Sequence, residues 1–381
     1  MESATDVAYE RAAYRNGEFG RSITDLQLHN GTVPRWLFNR MVKLAGPISS
    51  AAIDGLGTER FLRLLADPFW FQALSAALGF DPCSSGTTTV TCGALRNALR
   101  GRKDIAVVGG KGRLSLRTPE QIAEMADLND LSEDMEARLV YASRMCAKVD
   151  NAAVQDGYRL YHHALMFDDL GNWSVVQQGM LENGRLARRY QWSSGTAGKF
   201  VEEPHTAILG AEAAGALDMT ASASGDSRRV AVDLVNDGIE HVRSEVVVLT
   251  KGQTTIDEWA GGSVKKLYMP RTVNWAGLQK AYEHQPRDYE ELLAVRGVGA
   301  SAVRALALSG ELLYDCSPSW KDPVKYSFAV GGSRAPMPTD RSLDGAAELI
   351  EEGIWTARLR KREKVETIQR LRSMLPPEMR G

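Results

Sequence analysis

Apolar residues recur at three-to-four spacing from Pro34 to Leu78, at Trp36, Leu37, Met41 and Leu44, then Phe61, Leu62, Leu64, Leu65, Phe71 and Leu74. That period predicts helices with one buried face. From Ser84 to Leu99 a threonine-rich turn or strand is expected to run into a helix. Ile105 to Val108 reads as a short buried strand ending in Gly109-Gly110-Lys111-Gly112, and Thr118-Pro119-Glu120 as the start of a helix. Further on the period changes. Leu160 to Phe167 and Trp173 to Gln178 alternate as antiparallel strands do, with Asp168 to Asn172 as their hairpin. The Ala-, Gly- and Ser-rich block from Ala207 to Gly225 is expected to be a flexible connection or a loosely packed helix. Apolar periodicity returns from Ser227 to Val247. Ala346 to Met374 reads as one long helix, acidic at its start and basic at its end, in the sense that suits the helix dipole.

The elements predict an α+β fold: a mixed domain with a largely antiparallel sheet, followed by a helical domain. Expected boundaries are a loose N-terminus over 1–20, the core over 21–270, a hairpin-bearing domain over 271–335, and a basic C-terminal helix over 336–381. At 381 residues the chain is long enough for two domains. Its formal net charge of −2 gives no global nucleic-acid signature, so any such contact must be local. Cys83, Cys92, Cys146 and Cys316 lack paired CxxC spacing, which fits reduced thiols. No leader-like or membrane-spanning apolar run is seen, so a cytoplasmic location and no membrane partner are expected.

The stretch from Leu292 to Leu306 points to a partner. Two glycines flank one apolar residue between two helix-like patterns, and this resembles the helix-hairpin-helix motif of DNA repair and recombination proteins. Gly297-Val298-Gly299 would form the turn. The glycines would take backbone angles closed to other residues and expose N–H groups at a helix N-terminus, where a phosphate is favoured. Val298 would plug the gap between the helices, and Arg296 and Arg304 would add charge. Such a turn grips sugar-phosphate without reading bases, so DNA is the expected partner and sequence specificity is not. An ordinary glycine-closed interhelical turn is the plain alternative.

Candidate chemistry lies between Ser143 and Trp192, where polar residues are interleaved with aromatics. Asp150 and Asp156 are candidate ligands for a divalent metal, magnesium or manganese, as phosphodiester cleavage commonly needs. Lys148 is placed to balance phosphate charge, as are Arg188 and Arg189 by bidentate contact. Gln155, Gln177 and Gln178 would complete a polar site, with His162 or His163 as base or ligand. Adjacent strand residues point to opposite faces, so at most one histidine should reach it. Asp156 before Gly157 also suits a plain turn, and the arginine pair a plain basic surface. Two hydroxyl- or glycine-rich stretches are anion candidates: Ser84, Ser85, Gly86 and Thr87, and Gly109, Gly110 and Lys111. Neither is a P-loop, and no Gly-x-Ser-x-Gly nucleophile elbow occurs.

Several strings resemble one uncharacterised family, domain of unknown function 763. They include Leu28-His29-Asn30-Gly31, Asp67-Pro68-Phe69-Trp70-Phe71-Gln72-Ala73-Leu74, Ala147-Lys148-Val149-Asp150, Gln155-Asp156-Gly157-Tyr158, His162-His163, Gln177-Gln178-Gly179-Met180 and Asp322-Pro323. The resemblance implies membership and no reaction. This chain departs from the family pattern at Pro82-Cys83, where Trp-His is expected, at Gln191, where His is expected, and at Val330 to Ala335. Each departure removes a histidine or a charge, which counts against metal chemistry at those positions.

The resulting expectation is a DNA-processing protein, a metal-dependent nuclease or nuclease-like repair factor that binds the DNA backbone through the hairpin. Rivals are a non-catalytic DNA-binding scaffold and a small-molecule enzyme in which the hairpin is structural. A base-excision glycosylase is disfavoured: Asp315 lies 18 residues beyond Gly297 and the hairpin holds no lysine.

Overall fold

The computed structural model describes residues 26–27, 33–80, 85–181, 186–248, 269–324 and 342–374. In chain order the elements are β1 (Leu26–Gln27), α1 (Arg35–Leu56), α2 (Thr58–Ala66), α3 (Pro68–Leu78), α4 (Gly86–Ala98) and β2 (Ile105–Lys111). Next come α5 (Arg113–Leu116), α6 (Thr118–Leu128), α7 (Glu133–Lys148), a π-helical turn (Val149–Ala153), β3 (Val154–Gln155), β4 (Tyr158–Asp168) and β5 (Trp173–Leu181). Then follow β6 (Leu186–Ser193), β7 (Ala207–Leu209), β8 (Leu217–Asp218), α8 (Gly225–Asp237) and a helical stretch over 239–248. The last described elements are α9 (Trp275–His284), α10 (Tyr289–Ala294), α11 (Ala300–Tyr314), α12 (Ser342–Thr356) and α13 (Lys361–Met374).

An antiparallel sheet in the order β1-β6-β5-β4-β2, with β7 also paired to β6, lies between two helical layers. On one face Ile105, Ala164, Met166 and Val176 pack against α1 to α4, α12 and α13. On the other, Ala106, Val108, Leu165, Phe167, Val175 and Trp192 pack against α6 to α11. The chain is α+β, as its sequence pattern indicates. Covering both faces buries nearly every residue of β4 to β6, so polar side chains in these strands must find partners inside the protein.

Local chemistry explains the boundaries. Asp67 caps α3, its carboxylate accepting from Phe69 N at 2.9 Å and Trp70 N at 2.7 Å, with Pro68 in the first turn. The β4–β5 hairpin closes as expected at 168–172: Asp168 accepts from the amides of Leu170 at 3.1 Å and Asn172 at 2.8 Å. At the β2 edge, Gly109 N donates to Gln121 Oε1 at 2.8 Å and Gly109 O accepts from Arg96 Nη1 at 3.3 Å, so side chains occupy ladder groups that no strand pairs.

Three expectations change. The threonines after Ser85 are helical, and Thr87, Thr88 and Thr91 are buried within α4. The 207–225 block is no loose connection: it carries β7 and β8, and Ala207, Ile208, Leu209 and Leu217 are buried. The basic C-terminal helix is two helices, α12 and α13, whose Ile350, Ile354, Ile368 and Leu371 are buried in the core shared with α1. The same holds for the hairpin-bearing segment, since α9 to α11 share one apolar cluster with the sheet and α7.

Candidate acid–base centre and hairpin turn

Strand alternation divides the central polar residues into two rows. On the face toward α7, His163, Gln177 and Tyr190 lie in register across β4, β5 and β6. On the opposite face the row is Lys111, His162, Gln178 and Arg189. A register shift between Leu160 and His162 sets this phase. The two histidines therefore serve different faces, as alternation requires.

The first row closes on Asp150. Here α7 widens into the π turn, a form that often marks functional positions, and the turn directs Asp150 to the sheet, fully buried. Asp150 Oδ2 accepts from Gln177 Nε2 at 2.5 Å and Trp192 Nε1 at 3.1 Å. Its Oδ1 lies 2.5 Å from His205 Nε2. Because the Gln177 amide nitrogen is committed to Asp150, its Oε1 faces His163 Nδ1 at 2.8 Å, which assigns the ring proton to Nδ1. His163 Nε2 is then an acceptor for the Ser143 hydroxyl at 2.9 Å. The result is a continuous hydrogen-bonded chain, Ser143–His163–Gln177–Asp150–His205, in which a neutral His163 ring accepts from a serine hydroxyl. Burial lowers the His163 pKa, partly offset by Gln177 and Asp150.

Asp156 belongs to a neighbouring set. Its Oδ1 accepts from Tyr158 N at 3.0 Å, which shapes the turn into β4. Its Oδ2 accepts from Tyr190 OH at 2.6 Å and from Arg188 Nη1 at 2.7 Å. Arg188 also meets both oxygens of Asp322, at 2.9 and 2.7 Å, donates to Ala211 O, and stacks on Tyr158 with 4.5 Å to the ring centroid. Burial raises the Asp156 pKa against the pull of Arg188. Burial alone would lower the Arg188 pKa, but Asp156, Tyr190 and Asp322 hold it above the ordinary value.

The expected site thus comes together in part. Asp150, His163 and Gln177 converge; Asp156 is linked to them by a shared strand, through Tyr190. Among the described residues no group of three His, Cys, Asp or Glu side chains is arranged to hold a metal ion. His162 and Gln178 belong to the other face. Arg188 and Arg189 are fully buried, so neither forms a basic surface. Lys148 and Gln155 point elsewhere: Lys148 Nζ donates to Val295 O at 3.2 Å, and Gln155 Nε2 to Ala300 O at 2.8 Å. Both dock the hairpin onto the π turn. In the glycine-rich stretch, the Gly109 amide is taken by Gln121 and the Gly112 amide by Tyr161 O, so neither is open to an anion. Ser85, Gly86 and Thr87 sit at the start of α4, whereas Ser84, Pro82, Cys83 and Val330 lie outside the described residues, as does the N-terminal 1–20 segment.

Sequence reasoning missed Ser143, Tyr190, Trp192, His205 and the role of Asp322. A period-2 reading of β6 would have put Arg188, Tyr190 and Trp192 on one face. His205 follows Pro204 in a loop and gave no periodic signal. Two surface grooves, of about 550 Å³ between α4, β2 and α6 and about 780 Å³ beside α8 and α10, are lined by other residues than this centre.

In the turn over 295–299, Val298 is fully buried. Gly297 adopts φ +109°, closed to other residues. Gly299, at φ −118°, is in extended backbone that any residue adopts, which corrects the expectation for that glycine. No hydrogen bond from the amides of Gly299, Ala300, Ser301 or Ala302 is found among the described residues. Arg296 is exposed, and Arg304 instead lies against Trp320, 5.1 Å from its ring centroid.

Acid should destabilise the protein through its two central histidines. Burial, with His163 and Lys111 nearby, pushes His162 down to about 3. His163 is lowered as well. The unfolded chain therefore takes up protons below about pH 6.5 that the folded chain refuses, costing up to about 1.4 kcal/mol per pH unit per histidine as pH falls. Urea midpoints in chloride buffer are expected to drop between pH 7.5 and 5, and His162→Gln should flatten that slope. An unchanged slope in the variant contradicts the assignment.

No helix among the described residues is long and apolar enough to cross a membrane. No curated protein and no solved structure matches the chain. A family model described as "Protein of unknown function (DUF763)" matches residues 22–339. That span is most of the 381 residues and holds both polar rows and the hairpin turn, and the chain belongs to this family.

Proposed function

We propose that this chain is a DNA-binding protein that holds the sugar-phosphate backbone at the turn over 295–299. The observation that carries the reading is a set of uncommitted amides at the N-terminus of a 15-residue helix, α11, with the Lys148 ammonium docked beside them and Arg296 exposed next to them. Backbone amides and the helix dipole favour a phosphate there, and two cations supply the local charge that a net −2 chain lacks overall. Such contacts bind backbone without reading bases.

The cleavage chemistry fits less well. Asp150 and Asp156 do not face a common ion: Asp150 is held by Gln177, Trp192 and His205, and Asp156 by Arg188 and Tyr190. The geometry therefore favours backbone binding without metal-dependent turnover over a nuclease.

Fluorescence anisotropy with labelled single-stranded, duplex and forked DNA tests the reading. Affinity is expected to fall about tenfold or more between 50 and 200 mM salt, as for release of counterions by a few phosphate contacts. Gly299→Glu places a carboxylate at the amides in open space, and should abolish retention while leaving the fold intact. DNA retention that is absent, or indifferent to Gly299→Glu, sinks the proposal. Cleavage in magnesium or manganese that disappears in Asp150→Asn would restore the nuclease reading.

A further inference from the structure

The second polar row, on the sheet face toward α3 and α4, is left incomplete in a specific way. Arg189 is 0% exposed. Its Nε donates to Thr88 Oγ1 at 3.0 Å and its Nη2 to Gln72 Oε1 at 2.9 Å, with the Phe71 ring centroid 4.8 Å from the guanidinium carbon. Both acceptors are neutral. Nη1 has no partner, and among the described residues no carboxylate pairs with Arg189. Arg188, one position earlier, has two carboxylates. Burial drives the Arg189 guanidinium down to about 10, opposed by the neighbouring Cys92 thiol.

Its neighbours in register are equally unspent. Gln178, opposite Arg189, is 0% exposed; its Nε2 donates to Ser85 O at 2.8 Å and to Tyr161 OH, and its Oε1 accepts nothing. His162, opposite Gln178, is 1% exposed and neither ring nitrogen has a partner. Gln178 and Arg189 reach Ser85 and Thr88, at the start of the 13-residue α4. A buried, unpaired cation calls for a negative ligand.

The unspent atoms also say what kind of anion. Arg189 Nη1 only donates, so the ligand needs an anionic oxygen. Gln178 Oε1 only accepts, so the ligand needs a hydrogen to give. A neutral His162 ring does one of each. We propose that Arg189, Gln178 and His162 form a buried site for inorganic phosphate bound in a protonated form. Sulfate and chloride carry no proton near neutral pH and would leave Gln178 Oε1 unsatisfied; a carboxylate fails in the same way. Burial of all three side chains disfavours the added organic group of a phosphomonoester. The site is independent of the hairpin turn, which lies on the opposite side of the sheet.

The test uses the full chain purified without phosphate and equilibrated with chloride, sulfate, glycerol phosphate or inorganic phosphate at matched ionic strength and pH 7. Phosphate well above its dissociation constant should raise Tm by about 2–4 °C, and the other three anions should not. Equilibrium dialysis with radiolabelled phosphate should find one site per chain. Gln178→Glu, which supplies Arg189 with a carboxylate from within, should abolish binding and retain the fold. Arg189→Met should abolish it too. Equal effects of sulfate and phosphate, a response to glycerol phosphate as large as to phosphate, no retention of labelled phosphate by the wild-type chain, or retention that survives Gln178→Glu would each overturn the proposal.

Discussion

Arg188→Leu should lower the unfolding free energy by about 3–5 kcal/mol, because it leaves two buried carboxylates without their cation. Arg188 has 0% side-chain exposure and so have Asp156 and Asp322, its two ion-pair partners. Water cannot replace the guanidinium at such depth. The three segments it ties together, at Asp156, Arg188 and Asp322, are 32 and 134 residues apart in sequence, so the loss should be cooperative. Guanidinium unfolding followed by tryptophan fluorescence reads the change directly. Asp156→Asn should cost less, since Arg188 keeps the bidentate contact with Asp322. A triple replacement of Arg188, Asp156 and Asp322 by apolar residues of similar volume should recover most of the loss, as desolvated ion pairs often permit. A fall below about 1 kcal/mol for Arg188→Leu would mean that the charges are solvated, against the burial described.

Gly277→Ala is the second large effect. Glycine in α9 lets that helix approach the hairpin turn so closely that an added Cβ at Gly277 would lie 2.4 Å from both the carbonyl carbon and oxygen of Gly297. Neither is a flexible group. Asn274 fixes the same contact, donating to Gly297 O at 3.1 Å while capping Gly277 N, also at 3.1 Å. Overpacking of this kind costs about 1–3 kcal/mol, with more where backbone must shift. Gly297→Ala should behave similarly, since φ is +109° and its Cβ would sit 2.7 Å from Gly277 Cα. Gly299→Ala should lie within about 0.5 kcal/mol of wild type, because nothing lies within 4 Å of its Cβ. Three thermal melts settle the matter. If Gly299→Ala is as damaging as Gly277→Ala, the close approach is not where the energy lies.

What the sequence disclosed and what it withheld follow from how far each signal reaches along the chain. The α1 to α3 region was legible because Leu37, Met41, Leu44 and their successors repeat with the helix period. The β4–β5 hairpin was legible because Asp168 and Gly171 bring their own turn chemistry. The opposite fates of His162 and His163 followed from pleating alone. By contrast, the threonines of α4 favour strands locally, and only packing against α3 and the sheet makes them helical. The small residues of 207–225 suggested looseness, yet small side chains are what a tightly covered segment needs. The break between α12 and α13 carries no proline or glycine from Ala357 to Arg360 and so left no mark. At the acid–base centre, Asp150 and Gln177 were visible by composition. Ser143, His205 and Asp322 were not, because their partners lie 20, 55 and 134 positions away.

The two polar rows also bear on how the sheet assembles. In most sheets a strand that slides by one residue exchanges an oily face for a wet one, and solvent rejects the mistake. Here both faces of β4 to β6 are covered, so solvent has no vote. A one-residue slip of β5 would instead leave a glutamine in only one row: either Val176 would face His163 and Asp150 would lose the amide it accepts from, or Gly179 would face His162 and Ser85 O would lose its donor. Polar pairing inside the sheet thus acts as the spelling check that exposure performs elsewhere, and alignment errors are caught by unpaired charge.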